Sequence, residues 1–523
     1  MKIVTVREMR AIEQSSVELG VSLDELQRNA ASALAQEIER LCGEATGPLL
    51  FLVGPGNNGR DALIAADLLR ERGRSVRVYL APKVGSEDVL SRLREGGVPI
   101  HIDAQPADRT VLRRWVEDAS VVVDGLLGIG IRGAAREPIA GIIAAANEAA
   151  AAHRVPVVAV DIPSGIDADG GEVPGPAIRA DYTVSLGCVK AGLLKFPAAE
   201  YVGTLLPVGI GLPPGSYESI RLELLDADGV APLLPPRPPH AHKGTFGRVV
   251  VVAGSRNFVG AAYLAAAAAA RSGAGLVTFA VPEWLRSPLA TLLPEGTYLP
   301  LLDSDGPRVA EANVGIIVGA LASGSCLAVG PGLGRGPVQT RLVMGVLEAA
   351  RQVKGVSAVV DADGLNALSG EAGWWKRIGA GHVLTPHPGE MSRLTGLSIR
   401  DIDSDRWALA REWAARWGQT VVLKGAFTVV ADPGGDAWVS PTATSALASA
   451  GTGDVLTGLI AGMMAQGALP TDAARLGVFL HAAAACRVLA DEEIDRLLAS
   501  DLLPAIPSAI SELLARTHTR RPR

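Results

Sequence analysis

The sequence predicts an α/β protein of two domains, each a parallel sheet covered by helices. Short runs rich in valine and isoleucine recur without in/out alternation, as in strands buried on both faces. Each run is followed by a glycine-rich turn and a helical stretch, which is the βαβ pattern. The 523 residues exceed one ordinary domain, and two domains of roughly 200–280 residues each are expected.

In the first half the strand-like runs are Leu49–Val53, Val76–Leu80, Val121–Asp124, Val155–Asp161 and Tyr182–Leu186. In the second half they are Val249–Ala253, Leu276–Val281, Ile316–Val318, Leu327–Val329, Ala358–Asp361, Val383–Thr385 and Val421–Lys424. Helical stretches such as Asp61–Arg72 and Arg335–Ala350 separate them. A proline cluster from Pro235 to Pro239 excludes helix and inner strand. The expected division is residues 1–225, a proline-rich linker at 226–240, and residues 241–523. Glycine-rich loops fall at strand ends in both halves, where open α/β sheets place ligands, so one site per half is expected.

Nearly half of the residues (48%) are apolar and 20% are charged, enough for real cores. The formal net charge of −6 gives no general attraction to nucleic acid or an anionic membrane. Cys42, Cys188, Cys326 and Cys486 lie far apart, without metal or redox spacing, and read as free thiols in a reducing compartment. The alanine tract Ala265–Ala270 is too short to span a bilayer. A soluble, cytoplasmic homo-oligomer without nucleic-acid or membrane partners is expected.

In the first half, Gly54-Pro55-Gly56-Asn57-Asn58-Gly59-Arg60-Asp61 follows a strand and opens a helix. Its glycines admit close backbone approach, and the helix start offers free N–H groups to an anion. A plain turn would need one capping residue, not two asparagines and an aspartate. Asp124 ends a strand and leads into Gly128-Ile129-Gly130-Ile131-Arg132-Gly133-Ala134. Asp161-Ile162-Pro163-Ser164 follows another. Asn58, Asp124 and Ser164 would meet at one sheet edge as oxygen donors with one sure carboxylate, a set suited to a weakly bound monovalent ion.

These segments, in this order, resemble the NAD(P)H-hydrate epimerase domain, a Rossmann-like three-layer αβα fold, over most of residues 1–215. The resemblance implies that Asn57, Asn58, Gly59, Arg60, Asp61 and Gly128 to Ala134 hold a hydrated dinucleotide, that Asp161 touches it, and that Asn58, Asp124 and Ser164 bind K+. Arg60 and Ala62 stand where the family usually has glycine, and Gln27-Arg28 where it has Met-Glu. The implied reaction inverts the hydrated carbon of the nicotinamide ring, with Asp161 moving protons. Lys190 is a second candidate, weighed against an ordinary solvated lysine.

The second half carries Gly330-Pro331-Gly332-Leu333-Gly334, Asp361-Ala362-Asp363, and His387 between two prolines, a histidine with a fixed backbone beside a cleft. Lys424-Gly425-Ala426-Phe427-Thr428 lies between two strands and suits a phosphate cradle. Ala450-Gly451-Thr452-Gly453-Asp454 leads into a helix. Glycines before a helix start form an anion hole, and an aspartate there can accept a proton from a hydroxyl that attacks phosphorus. A plain helix cap would not need Gly-Thr-Gly.

The Gly-x-Gly-Asp ending resembles the ribokinase-like superfamily. The full set of segments, over roughly residues 235–515, is similar to the ADP- or ATP-dependent NAD(P)H-hydrate dehydratase. The resemblance implies that Ala261, Gly332, His387 and Asp454 contact the hydrate. Lys424, Gly425, Ala426, Phe427, Thr428 and Gly453 would hold the adenine nucleotide, with Mg2+ neutralising its phosphates. The ring hydroxyl of the S hydrate would be phosphorylated and phosphate then expelled. The competing reading is a ribokinase-like small-molecule kinase fused to a dinucleotide sensor, which would release a stable phosphorylated product.

Overall fold

The structure is a computed structural model that describes residues 1–523 except 44, 105–108, 304–305, 323, 492–494 and 520–523. Contacts divide the chain into two compact units, Met1–Glu223 and Leu224–Arg523.

The strands of the first unit are β1 (Ile3–Val4), β2 (Leu49–Val53), β3 (Val76–Leu80), β4 (Ile100–Ile102), β5 (Val121–Gly125), β6 (Val157–Val160), β7 (Tyr182–Leu186), β8 (Val189–Lys190) and β9 (Thr204–Val208). Seven form one sheet in the order β4-β3-β2-β5-β6-β7-β9, with every pairing parallel. The chain runs outward from β2 to β4, then returns to β5 and continues the other way. That reversal opens a crevice at the carboxyl ends of β2 and β5. β1 and β8 make a separate parallel pair.

Within β2, Leu49, Phe51 and Val53 enter the core on one face, and Leu50 and Leu52 the core on the other. Both faces are dry, which is why the run shows no polar alternation. Helices Val6–Glu18, Leu23–Cys42, Asn57–Glu71 and Glu87–Glu95 cover the first face. Helices Thr110–Glu117 and Ile139–His153 cover the second. The unit is therefore the three-layer αβα arrangement expected from its sequence.

The second sheet, of ten strands, contains β10 (Leu222–Leu224), β11 (Arg248–Val252), β12 (Leu276–Pro282), β13 (Thr297–Leu301), β14 (Cys326–Val329), β15 (Ser357–Val360), β16 (Val383–Leu384), β17 (Thr420–Leu423), β18 (Val429–Ala431) and β19 (Ala437–Val439). Their order is β10-β19-β18-β17-β16-β15-β14-β11-β12-β13. The direction of growth reverses between β11 and β14, the second crevice. Helices Val259–Arg271, Thr452–Ala465, Pro470–Asp491 and Ala499–Thr519 build the core on one face. The alanine tract is packing, as expected. A Cβ at Gly458 would stand 2.0 Å from the Ala265 carbonyl oxygen, so two small-residue helices touch backbone to backbone. Within the third of these helices, Pro470–Ala490 is apolar and long enough to cross a membrane by composition, and here its Ala473, Ala474, Leu476 and Leu480 are fully buried in the core.

Three expectations are corrected or refined. Ile316–Val318, read as a strand, lies inside helix Pro307–Gly319. Pro307 starts that helix, and its buried positions Ala310, Asn313 and Ile317 follow helical spacing. A three-residue apolar run cannot by itself distinguish strand from helix. The second sheet is not wholly parallel, since β17, β18 and β19 pair antiparallel. The segment read as a linker, 226–240, lies in the second unit. There Asp226 caps the short helix Ala227–Val230, and Val230 is fully buried in the core.

Candidate active sites

In the first unit, the loops after β2, β5 and β6 meet at the crevice. Gly54 and Gly59 are obligatory for the first loop. A Cβ on Gly54 would lie 1.7 Å from the Leu126 carbonyl oxygen, and one on Gly59 2.0 Å from that of Gly54. Ala62 takes part in the same packing, because the glycine at 125 leaves room for it: a Cβ there would come within 2.5 Å of the Ala62 methyl. Asn58, Asp124 and Ser164 are all buried and do come together. Ser164 donates its hydroxyl to Asp124 Oδ1 at 2.6 Å and its N–H to Oδ2 at 2.8 Å. Leu127 joins them, donating N–H to Ser164 Oγ at 2.9 Å and accepting from Asn58 Nδ2 at 2.9 Å. Burial lifts the Asp124 carboxyl to about 6, against the pull of the Ser164 bonds.

Asp161 directly follows β6 with a left-handed backbone, φ 64°. Its Oδ1 accepts the Leu186 N–H at 2.9 Å and pairs with the Lys190 ammonium. Lys190 also donates to the Leu186 carbonyl at 2.8 Å and is 1% exposed, so the solvated reading of it does not hold. Asp61 stands nearby. Burial raises its carboxyl to about 7, opposed by a hydrogen bond from Gln27, with Asp161, Lys190 and Glu13 among the charges acting on it. Its Oδ1 is buried with no hydrogen-bond partner. Arg60 is turned to its neighbours, donating to both carboxylate oxygens of Asp88 at 3.0 Å and to Gln27 at 3.0 Å. Gly130, Arg132, Gly133 and Ala134 form an exposed rim after β5.

In the second unit, the carboxyl ends of β15 and β17 bring Asp361 and Lys424 together. Lys424 Nζ lies 2.6 Å from Asp361 Oδ1 and 3.8 Å from Glu390 Oε2. Thr457, one helical turn beyond Asp454, donates to Asp361 Oδ2 at 2.8 Å. Burial works against the ammonium of Lys424, but Asp361 and Glu390 outweigh it and its pKa is raised. Asp454 occupies the first turn of helix Thr452–Ala465. Burial, then the charge of Asp361, lift its carboxyl to about 7, with Lys424 opposing. Among the described residues no hydrogen bond or ion pair engages it.

His387 caps helix Pro388–Thr395, its Nδ1 accepting N–H bonds from Gly389 at 3.0 Å and Glu390 at 3.3 Å. Burial, then Lys424, lower its pKa. The neutral ring therefore carries its proton on Nε2, assigned from these bonds. Gly332 and Ala261 face each other across the β11/β14 crevice: a Cβ on Gly332 would stand 2.8 Å from the Ala261 methyl. A cavity of about 180 Å³ is lined by Lys424, Gly425, Ala426, Thr428, Ser440, Thr442, Thr444, Thr452, Gly453 and His481, with apolar residues behind. Phe427 is buried with φ 54° and does not line it. Its N–H bonds the Thr442 carbonyl at 3.1 Å, holding the loop against the hydroxyl-bearing segment.

Both halves match known families. Residues 249–508 match the family described as NAD(P)H-hydrate dehydratase, and residues 23–192 the YjeF-related protein N-terminus. A bifunctional NAD(P)H-hydrate repair enzyme of Moorella thermoacetica is 37% identical over 98% of this chain and 97% of its own length. The chain belongs to the bifunctional NAD(P)H-hydrate repair enzyme family. A Thermofilum pendens member is 35% identical over 98% of this chain and 97% of its length. The crystal structure of an ADP/ATP-dependent NAD(P)H-hydrate dehydratase from Bacillus subtilis, co-crystallised with ATP and Mg2+, is 32% identical, with TM-score 0.47, and covers 56% of this chain and all of that one.

As a bifunctional repair enzyme the chain combines an isomerase, the epimerase, with a lyase, the dehydratase. Kinship along the full length of both halves sets aside the kinase-with-sensor reading. Within this repair enzyme, sequence reasoning missed Thr457, His481 and the row Ser440, Thr442, Thr444. Thr457 had a signal, since it is the one polar residue after Asp454 in an otherwise apolar helix. The row had another: hydroxyls alternate with Pro441 and Ala443 at the period of an extended chain. His481 had the same signal as Thr457, a lone polar side chain in an apolar helical stretch, and its Nε2 pairs with the Thr452 carbonyl at 3.0 Å.

Proposed function

We propose that the second unit dehydrates S hydrate through Asp454, with Lys424, Gly425, Ala426, Thr428 and Gly453 holding ADP or ATP and Phe427 anchoring their loop from behind. The unengaged Asp454 carboxylate beside the Lys424–Asp361 pair, at a glycine-built helix start, carries this reading. Asp454 accepts the ring hydroxyl proton as that oxygen attacks the terminal phosphorus, and ADP leaves as AMP. The carbon–oxygen bond then breaks, phosphate departs with the electron pair, and the adjacent ring carbon gives up a proton to form the double bond. His387, Gly332 and Ala261 face the hydrate, with His387 Nε2 set 3.4 Å from Glu390 Oε1.

Mg2+ would neutralise the phosphates. No group of three acidic, histidine or cysteine residues suited to a metal exists among the described residues. A magnesium ion held by nucleotide phosphates, water and one or two carboxylates fits that donor set.

In the first unit, Asp161 with Lys190 delivers a proton to the departing hydroxyl of the R hydrate. The ring cation then takes water on its other face, and the pair recovers a proton. Asn57 to Asp61 and Gly128 to Ala134 hold the dinucleotide. K+ at Asn58, Asp124 and Ser164 is supported by Asp124 itself, a fully buried carboxylate whose hydrogen-bond partners are all neutral. A cytoplasmic location is supported by the four cysteines, all free thiols.

The test is direct. The purified chain is mixed with hydrated cofactor and either nucleotide, and return of the reduced cofactor's absorbance is followed. Recovery of AMP and phosphate with the reduced cofactor is expected from ADP. A stable phosphorylated hydrate without reduced cofactor would refute the dehydratase chemistry.

A further inference from the structure

Two arginines beside the second unit's site have no role in the reaction described above. Arg335 comes one residue after Gly334 in the β14 loop, and its Nε donates to Asp363 Oδ1 at 3.1 Å. Arg393 lies on the helix that His387 caps, and its Nε donates to Asn366 Oδ1 at 2.7 Å. Asn366 Nδ2 donates to Asp363 Oδ1 at 3.2 Å, and the Gly334 N–H to Asp363 Oδ2 at 2.9 Å. One network, Arg335–Asp363–Asn366–Arg393, thus braces both guanidiniums, each through Nε alone. Among the described residues neither has a further partner, so the Nη1 and Nη2 groups of both remain available. Both charges reach His387, where, after burial and Lys424, they help to lower the pKa of the ring.

A guanidinium with open Nη groups is common on a surface. Two of them, tied to each other and braced on the loop carrying Gly332 and the helix capped by His387, form an organised pair of forks. Forks of this kind match phosphate oxygens. Neither arginine lines the cavity built from Lys424, Thr428 and Gly453. We propose that Arg335 and Arg393 clamp the pyrophosphate bridge of the hydrated dinucleotide in the dehydratase site. The clamp rests on the assignment of Ala261, Gly332 and His387 to the hydrate. It holds a part of the substrate remote from the reacting carbon, so it acts on binding and orientation.

The full-length enzyme tests this with Arg335→Ala and Arg393→Ala, measuring KM for S hydrate and for ADP separately. Each variant is expected to raise the hydrate KM about tenfold, the scale of one lost charge-assisted contact, with kcat little changed and the ADP KM unmoved. With the reduced, hydrated mononucleotide, which has no pyrophosphate, the variants and the parent should differ little. Arg335→Lys should recover part of the loss, because the charge remains and the fork does not. An unchanged hydrate KM overturns the clamp. So does an equal loss with the mononucleotide, or a rise in the ADP KM instead. His387→Ala separates the two levels. If it raises the hydrate KM while the arginine variants do not, only the clamp falls; if none does, the hydrate-side assignment falls with it.

Discussion

Asp454 holds its proton to about pH 7 because it is buried near Asp361. A base must be deprotonated to act, so dehydration should rise with pH and level off above about 7. Asp454→Asn should abolish turnover while ADP still binds, measured by single-turnover assay and calorimetry. The same burial affects stability. The folded pKa, about 7, stands above the ordinary 3.8, so folded protein retains a proton that unfolded protein has released. Stability therefore falls as pH rises from about 4 to about 7, and Asp454→Asn should melt higher than the parent at pH 8. In the first unit, Lys190→Met should abolish epimerisation. It should also destabilise that unit by about 3–5 kcal/mol, because it strips a buried charge partner from Asp161; chiral analysis of the hydrate and denaturant melts check both. At this scale the sequence was legible where chemistry leaves a local pattern, as in Gly451-Thr452-Gly453-Asp454. The Asp161–Lys190 pair spans 29 positions, and nothing local in either segment says that they meet.

The helix start after Gly451 shows what an element contributes. Gly453 is not obligatory for folding, since an added Cβ would lie 3.5 Å from Lys424 Nζ and 3.7 Å from Asp361 Oδ2, both ordinary contacts. Gly453→Ala should fold normally yet place a methyl beside the proposed phosphate position, raising the ADP KM about tenfold or more for a lost charge-assisted N–H bond with little change in melting temperature. The first unit's loop meeting yields a prediction about ions. If K+ supplies the charge missing at Asp124, epimerisation should be faster in K+ than in Li+ at equal ionic strength, and Asp124→Asn should remove the difference. Elements were legible where the period was long. The βαβ alternation and the glycine loops stood out, whereas Ile316–Val318 was too short to show its helix. The antiparallel β18 and β19 share the apolar composition of their parallel neighbours, so composition could not reveal their direction.

At the scale of the whole chain, two sheets each carry one reversal of strand order, and each reversal carries one site. Fragments 1–221 and 222–523, cut ahead of β10, should each fold, because each has its own core. The first should interconvert R and S hydrates without nucleotide. The second should consume S hydrate with ADP and stop at about half of an equimolar mixture, apart from slow spontaneous epimerisation; mixing the two should restore completion, followed by absorbance. The fold class was legible because both sheets are buried on both faces over their central strands. The division near residue 225 was marked by prolines, but Val230 and its short helix belong to the second core, and a proline count does not reveal burial.

The ion-paired lysines of the two sites make the molecule its own reporter of opening. Lys83, Lys243, Lys354 and Lys376 are exposed, while Lys190 and Lys424 keep their ammonium groups against Asp161 and Asp361. A mild acylating reagent should therefore decorate the exterior first and leave both activities standing. Acylation at Lys190 or Lys424, read by mass spectrometry, would then clock how often each crevice comes apart.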